Sequence, residues 1–148
     1  MTAKAWSMMN PSELEEYAAY HLARLGENAY FSLIEADHAI LPILVRAFRA
    51  ERDPASKAEI LEIIWQHRQP EAIPVLFEAL YDPSPAVWKQ ALDGLVTLDQ
   101  PDCMTAIEKA RGRTFEKEKD RKYFLEFLDE AIHQLRYGEF DQKDAGRA

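Results

Sequence analysis

Laid over itself with a shift of 31 residues, this chain repeats, and the repeat limits its fold more than any other feature. Gln69-Pro70-Glu71-Ala72-Ile73 falls on Gln100-Pro101-Asp102-Cys103-Met104. The same shift lays Glu59-Ile60-Leu61-Glu62 on Gln90-Ala91-Leu92-Asp93, and Ile64-Trp65-Gln66 on Leu95-Val96-Thr97. Upstream, a shift of 32 lays Pro42-Ile43-Leu44 on Pro74-Val75-Leu76, and Asp53-Pro54 matches Asp82-Pro83 across a slightly different turn. Such a unit has room for two helices and the turn between them. A hairpin that small cannot bury its apolar face alone, so it must stack on its neighbours.

The local chemistry agrees. Alanine, leucine and glutamate dominate, all strong helix formers, and no stretch alternates apolar and polar residues long enough for a sheet. Asn10-Pro11, Asp53-Pro54 and Ser84-Pro85 each set a capping side chain before a proline. The cap oxygen accepts an orphan amide, and proline in the first turn has none to lose. Pro70 and Pro101 are followed by Glu71 and Asp102, acids suited to the positive end of a new helix. The spacing predicts helices over 11–25, 28–36, 39–52, 54–67, 70–81, 84–98, 101–111 and 116–137. Connections this short return each helix antiparallel to the last. In the closing helix Phe124, Phe127, Leu128, Ala131, Ile132 and Leu135 share one face. The expected fold is all-α, a right-handed α-solenoid of about four helical hairpins. Residues 1–140 are read as one domain, with the clearest repeats at 37–67 and 70–98, continuing to 111. The polar segment 141–148 is read as a frayed tail, and Trp6 as a cover for the open end of the stack.

The segment from Ala72-Ile73-Pro74-Val75-Leu76-Phe77-Glu78-Ala79-Leu80-Tyr81-Asp82-Pro83-Ser84-Pro85-Ala86-Val87 through Ala91-Leu92-Asp93-Gly94-Leu95 resembles a HEAT repeat of the short bacterial, phycobilin-lyase-like kind. The resemblance covers about 37–111. It implies that the second helix of each unit lines the concave surface. One position departs: the family usually has Arg after the Val that Val87 matches, paired along the stack with Asp at turns like Asp82, whereas this chain has Trp88.

Charge and composition narrow the function. Eighteen Lys and Arg against 26 Asp and Glu leave a net charge of −8 over 148 residues, the reverse of a nucleic-acid surface. The longest apolar run, Ala39 to Val45, is far short of the ~20 residues of a membrane span. No apolar signal core is present near the N-terminus, and a single cysteine excludes an internal disulfide. The expected location is the cytoplasm, and the expected source bacterial.

Enzyme chemistry is poorly represented. No Gly-rich phosphate loop, HExxH or Gly-x-Ser-x-Gly elbow occurs. None of His21, His38, His67 and His133 is followed by Glu, so the His-Glu pairs of HEAT-like metal hydroxylases are missing. His67 and Glu71 can meet across a turn, but two ligands make a weak metal site; His67 is read instead as a surface or helix-end histidine. Cys103, flanked by Asp99 and Asp102 and aligned with Ala72, reads as a packing residue rather than a nucleophile. Glu13, Glu15 and Glu16 suit a solvated first turn. The alternating run Arg111 to Lys122 suits exposed ion pairs. No catalytic residue, metal or cofactor is assigned.

One pattern points to binding. Glu59, Glu62 and Gln66 share a face of the 54–67 helix, and the 31-residue shift carries them onto Gln90, Asp93 and Thr97 of the 84–98 helix. Stacked hairpins would set the two acidic stripes side by side. Trp65 reads as core; Trp88 is either core or the anchor of an interface. The expected function is non-catalytic: binding a basic protein partner through Glu59, Glu62, Gln66, Trp88, Gln90, Asp93 and Thr97, without nucleic acid or membrane. A bacterial immunity protein that neutralises a toxin is the concrete form. An adaptor or assembly chaperone akin to bilin-lyase proteins is the alternative, followed by a small enzyme with an inter-helix pocket.

Overall fold

A computed structural model describes residues 9–147. Among these the chain forms eight α-helices and no strand. They are α1 (Pro11–Leu22), α2 (Glu27–Glu35), α3 (Leu41–Ala50), α4 (Pro54–Gln66), α5 (Ala72–Ala79), α6 (Pro85–Leu98), α7 (Pro101–Lys109) and α8 (Glu118–Arg147). Single 3-10 turns precede α3 at His38–Ile40 and follow α7 at Ala110–Gly112. Gly138 interrupts α8 with φ 73 and ψ 153, one residue beyond the expected end of the closing helix. Past it the backbone is helical to Arg147, where the polar composition suggested fraying. Trp6 lies outside the described residues.

Two of the three expected caps form. Asn10 accepts from the Glu13 amide at 2.8 Å while Glu13 Oε1 accepts from the Asn10 amide at 3.3 Å, a reciprocal capping box. Asp53 accepts from the Ser56 amide at 2.9 Å, and that bond holds its carboxyl below the usual range. Ser84 departs from expectation: its side chain makes no cap bond to α6. Instead, two residues upstream, Asp82 accepts from the Ser84 amide at 2.9 Å, so the turn is organised before the cap position.

The repeat is visible atom by atom in two turns. Among the described residues Arg68 and Asp99, 31 residues apart, are the non-glycine residues with left-handed backbone, φ 55 and φ 46. Each is followed by a glutamine whose amide folds back. Gln69 Nε2 donates to the His67 carbonyl and Gln100 Nε2 to the Leu98 carbonyl, both at 3.2 Å. A left-handed residue ends a helix by turning its last carbonyls away from the axis, and the glutamine satisfies one of them.

The chain divides into two compact units, Met1–Val75 and Leu76–Ala148, with the division inside α5. In the first, α4 packs on α2 and α3, and α1 packs on α2 and α3. Leu33, Ile40, Leu44, Phe48, Ile60, Leu61, Ile63 and Ile64 are fully enclosed, and Trp65 is buried beside them. In the second, α8 packs on α6 and α7, burying Phe124, Leu128, Ala131 and Ile132 of its apolar face together with Leu95 and Ile107. Cys103 is completely buried. Burial, with Asp99 and Asp102 nearby, pushes its thiol above the usual range, the opposite of an activated nucleophile.

Candidate functional site

The α4 stripe is neither free surface nor core. Its flanking residues Ile60, Leu61, Ile63 and Ile64 point into the first unit, which leaves Glu59, Glu62 and Gln66 half-buried at the margin of the apolar face. The Tyr30 hydroxyl of α2 reaches this margin, close to Glu62 and Gln66. Partial burial, then the nearby Glu62, pushes the Glu59 carboxyl above its usual range; burial and the two glutamates do the same to the Tyr30 hydroxyl. Three α4 side chains predicted from spacing are therefore gathered around one tyrosine that spacing did not reveal. The signal was weak, because Tyr30 belongs to the first hairpin, which lacks the repeat signature.

In the second unit, Asp93 and Thr97 are exposed on α6 and Gln90 is half-buried. Asp93 borders a small groove with Lys89 and Val96 of α6 and Phe127, Glu130 and Gln134 of α8, about 180 Å³ in volume. Lys89 lies over the Tyr123 and Phe127 rings, 4.6 Å from each centroid, and donates to the Tyr123 hydroxyl.

Trp88 corrects the sequence reading. It is only 2% exposed, enclosed edge-on by Phe124 at 5.0 Å, Phe127 at 5.6 Å and Tyr123 at 5.7 Å between ring centroids. An interface anchor must be available before the partner arrives, and this indole is already spent in the core. The α8 aromatics supplied that environment, and nothing local to residue 88 announced them. The family's arginine has a partial substitute from elsewhere in the same unit. Arg113 donates to the Leu80 carbonyl at 2.8 Å and lies over the Phe115 and Phe124 rings at 4.5 and 5.1 Å. Burial lowers its pKa, against Asp82, which favours the charged form. One member of the basic run is therefore a clamp on the turn before α6, not a solvated charge. Arg111 and Arg121 do form exposed pairs, with Asp129 and Glu118.

His67 also departs from expectation. It is 5% exposed, and its partner is His38 rather than Glu71. The two Nδ1 atoms are 2.9 Å apart, and His67 Nε2 meets the Leu33 carbonyl at 2.9 Å. Both nitrogens of His67 are thus engaged, and no group of three or more His, Cys, Asp or Glu able to hold a metal occurs among the described residues.

Stacked two-helix units, an internally repeated turn and half-buried polar helix faces define a helical-repeat protein of the kind that generally serves as an interaction scaffold. The family model for HEAT repeats matches residues 41–117, more than half of the chain. The chain belongs to the HEAT-repeat family, whose members generally mediate protein–protein interaction. No curated protein and no solved structure matches it. No helix among the described residues is long and apolar enough to cross a membrane.

Proposed function

We propose that this chain is a non-catalytic binding module, residues 1–140 acting as one repeat array, that holds a basic protein through the polar faces of α4 and α6. The observation that carries the reading is the α4 stripe. Glu59 and Glu62 stand half-desolvated at the edge of an apolar face, and the repeat register puts Gln90, Asp93 and Thr97 at the same positions of α6. A partly desolvated acid attracts an arriving cation more strongly than a fully solvated one. The net charge of −8 would steer a basic partner and raise its association rate. Trp88 has no part in this surface. Acidity and a repeat fold favour an immunity protein that masks a basic toxin in a bacterial cytoplasm.

The test is retention of a basic protein by the immobilised chain. Retention should be strong at low salt and fall as ionic strength shortens the screening length. The joint change Glu59→Lys, Glu62→Lys and Asp93→Lys should weaken it at least tenfold with the helical circular dichroism unchanged. Retention indifferent to both salt and the triple change would overturn the reading. Co-expression that relieves the partner's toxicity distinguishes immunity from an adaptor role.

A further inference from the structure

The hydrogen bonds around His67 admit one arrangement of protons while both histidines are neutral. The Leu33 carbonyl can only accept, so His67 Nε2 carries the hydrogen at that 2.9 Å contact. A neutral imidazole has a single N–H, which leaves His67 Nδ1 as an acceptor. His38 Nδ1, 2.9 Å away, must then donate, and His38 Nε2 is bare. It accepts from Gln69 Nε2 at 3.3 Å, and the same amide donates to the His67 carbonyl at 3.2 Å. Gln69 to His38 to His67 to Leu33 is a relay running one way, and every donor in it has an acceptor. It joins α2 and the 3-10 turn to the C-terminal end of α4, all within the first unit.

Protons break this relay in two stages. One proton is tolerated at His38 Nε2, because His38 is exposed and water can accept from the new N–H while His38 Nδ1 still donates to His67. A second proton, on His67 Nδ1, sets donor against donor and cation against cation at 2.9 Å. No amide rotation relieves that, so the rings must part.

We propose that the His38–His67 pair is an acid-released latch, fastening the Asp37–Ile40 turn to the end of α4 while at most one ring is charged and letting go when both are. The charged groups around it are few. Asp37 on the turn favours the cationic form of His67, and His38 opposes it. Arg46 and Arg49 of α3 and Glu71 border the same cleft as His38, and α2 contributes the Leu33 carbonyl. Burial is the largest influence on His67 and lowers its pKa from an ordinary value of 6.5. The sign follows. A group that binds its proton less readily when folded favours the closed form above pH 6.5, and that preference is lost as the pH falls toward its lowered value. Opening should rise up to tenfold per pH unit in that window, one proton being taken up.

Imidazole nitrogen NMR reads the latch directly. At pH 7.5 His67 should show a protonated Nε2 and His38 a protonated Nδ1, with a through-hydrogen-bond coupling between the two Nδ1 nuclei. On acidification that coupling should vanish in the step that titrates His67, and the amides of residues 37–40 should shift in the same step. These local signals separate the latch from general acid unfolding of a carboxylate-rich chain. His38→Gln sharpens the test at an exposed site. Its amide can donate to neutral Nδ1 or, turned over, accept from protonated Nδ1, so His67 should titrate at higher pH with the 37–40 amides unmoved. A wild-type His67 that titrates without moving those amides would falsify the latch. So would a His38→Gln protein whose turn opens as the wild type's does.

Discussion

Two turns 31 residues apart share one design and differ in one side chain. At 67–70 and 98–101 the chain makes the same sequence of events: helix end, left-handed residue, folded-back glutamine, proline. In the first unit the helix ends on His67, which reaches across to Leu33 and His38; in the second it ends on Leu98, which has no polar side-chain atom to offer. The shared parts are those that any stacked hairpin requires to end a helix. The histidine is an addition to that scheme, and it makes the first turn sensitive to protons. A second comparison runs the same way. The register position of Trp88 is held in the first unit by Lys57, whose ammonium lies over the Phe48 ring at 5.0 Å. One unit keeps a cation there and the other buries an indole beneath α8.

The largest effect should come from breaking that last difference. Trp88→Ala removes a fully enclosed indole and should cost about 3–5 kcal/mol in urea denaturation. A surface anchor would change stability by no more than about 0.5 kcal/mol, so the measurement separates the two roles. Next come the caps. Asp53→Ala removes a formed cap bond and should cost about 1 kcal/mol, whereas Ser84→Ala, which removes none, should cost no more than a few tenths. Equal losses would mean that the two helix starts are not held differently. The smallest change is a gain. Arg68→Gly relieves a left-handed backbone at an exposed residue and should stabilise by about 0.5–1 kcal/mol in thermal or urea unfolding. Asp99→Gly should give less, since aspartate tolerates that conformation better than arginine.

Much of the fold was legible because its determinants are local. Prolines one residue past a capping side chain marked the starts of α1, α4 and α6, and apolar spacing marked the buried face of α8. The start of α6 also shows the limit, since Ser84 sits at the cap position without capping. The stripe of Glu59, Glu62 and Gln66 followed from helical periodicity alone. Its companion Tyr30 did not, because residues 30 and 62 meet only after α2 has packed on α4. His38 and His67 are far apart in sequence and carry no motif, and their meeting depends on where a 3-10 turn falls.

Helix positions, their ends, their repeat and the faces they turn inward were set by propensities and hydrogen bonds spanning at most a few residues, which a chain carries wherever it is. Which side chains share an environment was settled only on packing. Trp88 became core because α8 brought three aromatic rings to it, and Arg113 became a clamp because the Leu80 carbonyl came within reach. His67 lost its place at the surface because the chain folded Leu33 and His38 onto it. Those outcomes depend on contacts between segments many residues apart, where burial removes water and changes what a charge or a ring can do.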